Sequence, residues 1–315
     1  MIWKLFVLIV GFALLIKGAD VLVDGSSSIA LNLKVPKVLI GLTIVAFGTS
    51  APELAVSISA RLAGSDDMVL GNVIGSSIMN IMLILAVGSI IRPVIMKDNT
   101  IKKELPLHLI LSLLLVVLII DVTLDGNVIN QITRSDALAI LLYFSIFIYY
   151  LVSVAKTHSI FHEKAPYGVL KSIAFVIIGL GALIYGSNLV VDSASYIARQ
   201  LHISDRVIAL TIVAFGTSLP ELVTTITSSL KGEQDLLLGN LIGSNIFNIC
   251  IVLGLPVAIF GTIEATGFNL IDIIAFILSS VILMVVAKTK ATVSRKEGII
   301  MLLIFVIYYS LVIFL

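Results

Sequence analysis

Two glutamates sit inside the same phrase: LTIVAFGTSAPEL runs from Leu42 to Leu54 and LTIVAFGTSLPEL from Leu210 to Leu222, identical at twelve of thirteen positions. Proline has no N–H, so Pro52 deprives the Gly48 carbonyl of its helical partner and is expected to kink the helix there. Thr49 lies one turn before Glu53 and Ala46 seven residues before it, which puts all three on one helix face. A carboxylate, hydroxyls and freed carbonyls then converge. A second phrase follows each copy: GNVIGSSIMNI (71–81) and GNLIGSNIFNI (239–249) agree at eight of eleven positions. Asn72, Ser76 and Asn80 recur every four residues and form a polar stripe, matched by Asn240, Ser244 and Asn248. Gly71 and Gly75, like Gly239 and Gly243, make a small-residue ridge that allows close helix approach.

All of these donors are hard oxygens, which suit sodium, calcium and magnesium rather than zinc or copper. Calcium accepts roughly six to eight oxygens in flexible geometry, whereas magnesium sheds its water reluctantly. Two carboxylates balance one calcium ion, and a few sodium ions could balance them as well. A site shared by competing ions is what an antiporter requires.

The elements that carry these phrases lie in lipid. Hydrophobic residues are 59% of the 315-residue chain, charged residues 12%, and the mean hydropathy is +1.17. A helix needs roughly 20 mostly apolar residues to cross a bilayer, and such runs are expected at 3–24, 36–62, 67–91, 104–121, 135–155, 169–191, 204–230, 235–261, 269–287 and 297–314. They do not alternate polar and apolar residues, which argues against a barrel. The first run has no Ala-x-Ala cleavage pattern and reads as a retained helix. Fourteen of the twenty Lys and Arg residues fall in the connections after the odd-numbered spans, so those face the cytoplasm and both termini are extracytoplasmic. Cys250 is the only cysteine, which excludes an internal disulfide or a cysteine metal cluster. A net charge of +1 gives no reason to expect nucleic acid.

Glu53 and Glu221 are 168 positions apart, and the same offset aligns Gly18 with Gly186 and Asp24 with Asp192. The chain thus reads as a duplication: residues 1–155, a short cytoplasmic linker at 156–168, and residues 169–315. Five spans per half is an odd number, so the halves enter the membrane from opposite sides. The expected fold is an all-α integral membrane protein of ten transmembrane helices arranged as two inverted-topology five-helix repeats, a plan typical of secondary transporters.

Plainer roles compete with these. Serine and asparagine on membrane helices often serve only as interhelical glue; repetition in both halves favours ligation for Ser76, Ser244, Asn80 and Asn248. Ser77 and Asn245 differ between the halves and are evenly balanced. Asp24 and Asp192 read as caps or interfacial contacts, and the glycines at 11, 18, 179, 181 and 186 as packing positions that could also let helices slide. His108, His158, His162 and His202 fall in or beside predicted connections and receive no role. A charged side chain costs roughly 2.5 kcal/mol or more at the membrane centre, so two glutamates in duplicated motifs are read as functional.

GTSAPEL and GTSLPEL, each followed by the Gly-Asn phrase, resemble the α1 and α2 repeats of the calcium/cation antiporter superfamily, most closely its prokaryotic sodium/calcium exchangers. The α1 motif here spans 42–81 and the α2 motif 210–249, and the resemblance covers nearly the whole chain. It implies exchange of sodium for calcium by alternating access in the cell membrane, with the first and sixth helices as a sliding gate. The ions would be transported cargo; no cofactor, enzymatic activity or obligatory protein partner is implied. By motif, Glu53 and Glu221 would bind calcium and share sodium, and Thr49 and Thr217 would add carbonyls to calcium. The Ala46 and Ala214 carbonyls with Ser50, Ser218, Ser76 and Ser244 would shape sodium sites, and Asn80 and Asn248 would line the middle. Potassium-dependent relatives carry Asp where this chain has Asn248, and calcium/proton exchangers carry Glu and His where it has Ser and Asn. Potassium co-transport is therefore not expected, and calcium/proton exchange is the alternative. Intramembrane hydrolysis would need a Ser–His pair, an Asp pair or a His cluster that the spans do not contain.

Overall fold

The computed structural model describes residues 2–124, 129–156, 164–201, 212–265 and 270–314. Expectations for 202–211, for most of the linker at 156–168, and for His158, His162 and His202 lie outside the described residues.

In chain order the main helices are α1 (Ile2–Leu33), α2 (Lys37–Thr49), α3 (Ala51–Leu62), α4 (Asp66–Ile91), α5 (Leu105–Leu118), α6 (Arg134–Ala155) and α7 (Val169–Gln200). There follow α8 (Ala214–Thr217), α9 (Leu219–Lys231), α10 (Gln234–Phe260), α11 (Leu270–Lys290) and α12 (Arg295–Phe314). Among the described residues, six helices are long and apolar enough to cross a bilayer, or seven if the bent pair α2–α3 counts as one span. This is an all-α membrane protein.

Burial sorts the helices into layers. The apolar windows of α4 and α10 are 72% and 78% buried, against 22% to 33% for α1, α6, α7 and α11. The two helices that carry the asparagines are therefore wrapped by the rest, while Ile9, Phe12, Ile16, Ile177 and Tyr185 on α1 and α7 stay exposed for lipid.

α1 runs past its predicted end at 24 because the small residues of Gly25–Ser28 are packed rather than solvated: a Cβ on Gly25 would lie 2.9 Å from the Ser172 carbonyl of α7. Along the same crossing, a Cβ on Gly11 would sit 3.0 Å from the Gly186 oxygen, and one on Gly18 would sit 3.0 Å from the Gly179 oxygen. Only bare backbones can approach so closely. Gly11, Gly18, Gly179 and Gly186 pack as expected, welding α1 to α7, whereas a Cβ on Gly181 would meet no described residue within 4 Å.

The halves exchange contacts as a two-fold arrangement would. Gly11 and Gly179 are 168 apart, as are Gly18 and Gly186, and each packs on the other's partner. On the axis of that relation Ser280 Oγ donates to Ser112 Oγ at 3.2 Å, from a residue 168 positions away. Two antiparallel ribbons also join the halves: β1 (Val94–Ile95) pairs with β4 (Thr292–Val293), and β2 (Gln131–Ile132) with β3 (Ile263–Glu264).

Asp24 proves to be neither a cap nor at a helix end. With Asp20 it holds Lys231, at the end of α9, through contacts of 2.6 and 2.7 Å. His108 is likewise not in a connection; it lies in the second turn of α5, 1% exposed.

Candidate cation site

Both repeated phrases break their helix at the same place. Ser50 (φ −85°, ψ 6°) separates α2 from α3, and Ser218 (φ −88°, ψ 4°) separates α8 from α9. The expected proline kink is thus a full interruption, with α2 and α3 43° apart. The reason is positional: Pro52 and Pro220 sit in the first turn of the second helix, where a missing N–H costs nothing. The interruption puts Glu53 and Glu221 in the first turns of α3 and α9, where the helix dipole favours a carboxylate. On α4 and α10 the asparagines open π-helical stretches, Asn80–Leu85 and Asn248–Leu253. Such widened turns recur at functional sites, and nothing in the sequence pattern announced them.

The two halves then reach into each other. Ser50 Oγ donates to Glu221 Oε1 at 3.2 Å, and Ser218 Oγ donates to Glu53 Oε1 at 3.4 Å. Ser244 Oγ donates to the same Glu221 oxygen at 3.4 Å and lies 3.4 Å from Thr49 Oγ1. Asn248 Nδ2 donates to Ser76 Oγ at 3.0 Å, and Asn80 Nδ2 to Asn245 Oδ1 at 2.9 Å. Glu53, Glu221, Asn80 and Asn248 are each 1% exposed.

What these bonds leave over defines the chemistry. Glu53 Oε2, Glu221 Oε2, Asn80 Oδ1 and Asn248 Oδ1 are buried acceptors with no partner among the described residues. No basic side chain among those residues pairs with either glutamate, and no three His, Cys, Asp or Glu come together as a metal cluster. Buried acceptors normally have partners. Four unpaired oxygens, two of them on carboxylates, offer ligands to a cation.

The remaining expected residues fall around this centre with less freedom. The Ala46 carbonyl already accepts from the Ser50 N–H at 3.0 Å, and the Thr49 hydroxyl is turned to Asn240 Oδ1 at 3.0 Å. The Ala214 carbonyl accepts from Thr217 Oγ1 at 3.3 Å. The Gly216 carbonyl takes Ser187 Oγ of α7 at 2.6 Å, so one carbonyl freed by a proline is used to bind α7. Ala214, Thr217 and Ser76 line a cavity of about 460 Å³ that runs along α4 from Asp67 past Asn72 and Gly75 and is walled by Tyr308 and Tyr309 of α12.

Sequence reasoning missed four supporting residues. Asn72 donates to the Glu53 carbonyl at 2.9 Å, and Asn240 receives the Thr49 hydroxyl. Both lie in the four-residue polar stripe, which was signal enough. Asn245 and His108, whose nitrogens are 3.2 Å apart, do not repeat between the halves; Asn245 was evenly balanced between ligation and packing, and His108 was given no role.

A helical membrane fold with an interior oxygen cage, which no basic side chain among the described residues enters, fits a cation transporter. The family model "Sodium/calcium exchanger protein" matches residues 3–153 and 171–314. The chain belongs to that family and is an exchanger-type cation antiporter. It is similar to inner membrane protein YrbG of Escherichia coli, at 34% identity over 96% of this chain and 95% of that one. It is similar also to the sodium/calcium exchanger MaX1 of Methanosarcina acetivorans, at 29% identity over 96% of each. Among solved structures, the sodium-calcium exchanger NCX_Mj superposes with a TM-score of 0.84 at 33% identity, covering 99% of this chain and 98% of that one.

Proposed function

We propose that this protein exchanges sodium for calcium across the cell membrane, electrogenically and without potassium. The observation that carries the reading is the set of four unpaired oxygens on Glu53, Glu221, Asn80 and Asn248. Two carboxylates and neutral amides suit one calcium ion, or sodium ions with Ser50, Ser218, Ser76 and Ser244 completing their shells. The carbonyls of Thr49 and Thr217 join calcium, and those of Ala46 and Ala214 join sodium once their present bonds loosen. Asn248 in place of an aspartate argues against potassium, and neutral Ser and Asn along α4 and α10 argue against protons as the counter-ion.

Residues 1–155 and 169–315 act as inverted five-span repeats joined by the linker at 156–168, with both termini extracytoplasmic. The two-fold contacts between α1 and α7 and between Ser112 and Ser280 support that plan. In it the cavity beside α4 is the extracytoplasmic approach to the site. The welded pair α1–α7 slides as one gate, closing that approach and opening the opposite one.

The test is calcium flux in proteoliposomes under an imposed sodium gradient, with membrane potential controlled. Calcium should move against sodium and carry net charge. Flux indifferent to sodium, or driven equally by a pH jump at zero sodium, would sink the reading and favour calcium/proton exchange.

A further inference from the structure

The two central asparagines are held in different ways. Asn248 Nδ2 is tied by Ser76 Oγ of the opposite half, at 3.0 Å. The serine that would do the same for Asn80 is Ser244, 168 positions on from Ser76, but it faces Glu221 and Thr49 instead. Asn80 Nδ2 goes to Asn245 Oδ1 at 2.9 Å, and that bond leaves Asn245 Nδ2 pointing at His108 Nε2, 3.2 Å away. An amide N–H₂ only donates, so with Asn245 Nδ2 on this side the contact is a hydrogen bond when Nε2 is the bare, accepting nitrogen of a neutral imidazole. The three side chains form one chain with one polarity: His108 accepts from Asn245, Asn245 accepts from Asn80, and Asn80 keeps Oδ1 unpaired. All three are 1% exposed, so water does not compete.

The molecule contains its own control. At the positions 168 away, Asn245 corresponds to Ser77 and His108 to Phe276. Ser77 Oγ simply donates to the Val73 carbonyl on its own helix at 2.7 Å, and Phe276 is buried as an apolar residue. The polar pair is present only beside the asparagine that lacks a serine, and absent beside the one that has it.

We propose that His108 is a positioning residue of the cation site: through Asn245 it orients the Asn80 amide so that its oxygen, not its N–H₂, is free for the ion. This rests on the reading of Asn80 as a ligand given above. Groups that orient a ligand without touching the metal typically change affinity by roughly 10- to 100-fold when removed.

The experiment compares calcium concentration for half-maximal flux, and maximal flux, in proteoliposomes of His108→Phe, His108→Gln, Asn245→Ser, the His108→Phe/Asn245→Ser double variant and Asn80→Ala. His108→Phe should raise the half-saturating concentration about tenfold with maximal flux nearly kept. His108→Gln, whose amide oxygen also accepts from Asn245, should stay within about twofold of the parent. The double variant should be no worse than Asn245→Ser alone, because both changes cut one chain. An unchanged half-saturation in His108→Phe, a loss of maximal flux alone, or an additive double variant would overturn the proposal while leaving the site standing. Unchanged half-saturation in Asn80→Ala would overturn both the proposal and the reading of the site.

Discussion

The same sequence phrase packs in two opposite ways. Where α10 crosses α2, a Cβ added at Gly243 would lie 2.7 Å from the Ala46 side chain and 2.8 Å from Leu42 Cα. Where α4 passes α8, a Cβ added at Gly75, the residue 168 positions before Gly243, would meet nothing within 4 Å among the described residues. Ala46 is 1% exposed, whereas its counterpart Ala214 lines the 460 Å³ cavity. Because the two phrases are near-identical, we read the difference as one of conformational state: in the proposed exchange cycle one crossing is shut, the other is open, and alternation exchanges them.

The first way to break this comparison is to remove what the two crossings share. Glu53→Gln and Glu221→Gln should each abolish sodium-dependent calcium flux while leaving monodisperse, folded protein, because each deletes one of the two charges of the cage. Full flux in either variant would mean that the cage is not the transport site.

A smaller effect separates the crossings themselves. Gly75→Ala meets no described residue, so the folded protein and its calcium binding should be retained. If the open crossing must close as tightly as the shut one, turnover should fall about tenfold, the effect of roughly 1.4 kcal/mol on a barrier. Gly243→Ala should instead lower thermal stability, by about 1–3 kcal/mol from overpacking in the present state. Equal behaviour of the two variants in both assays would contradict the assignment of open and shut.

The smallest effect concerns the tie on the shut side. Burial by itself would depress the Lys231 ammonium, but its hydrogen bonds and charge attraction to Asp20 and Asp24 outweigh this and hold its pKa above the usual 10.5. A raised lysine contributes its stabilisation fully below the ordinary value and loses it only as pH rises through the raised one. Counterparts of the three residues are Ala63, Asn188 and Asp192, so the opposite crossing has no such tie. Lys231→Met should shift turnover about two- to threefold, weakening with salt because the pair is partly exposed. The shift should be flat between about pH 6 and pH 9; a change across that range would implicate another group.

The sequence made the cage legible because its residues occur twice. Glu53 and Glu221, Asn80 and Asn248, and the paired serines stand out by repetition, and the structure gathers them around unpaired oxygens. The break at Ser50 was half visible: the proline was plain, but whether it bends a helix or begins a new one depends on which turn it occupies. Asn245 stayed evenly balanced and His108 without a role because they break the repeat, and significance that comes from asymmetry appears only when neighbours are known. The different packing at Gly75 and Gly243 was not legible at all, since both phrases are spelled alike.

The most direct measurement is to locate a heavy divalent ion, strontium, by anomalous diffraction from crystals of the intact protein. The account predicts a peak at calcium-like distances, about 2.3–2.6 Å, from oxygens of both Glu53 and Glu221, with Asn80 and Asn248 around it. A principal peak elsewhere, such as beside Glu104 or between Asp67 and Asp272, with the two central glutamates unoccupied, would contradict it.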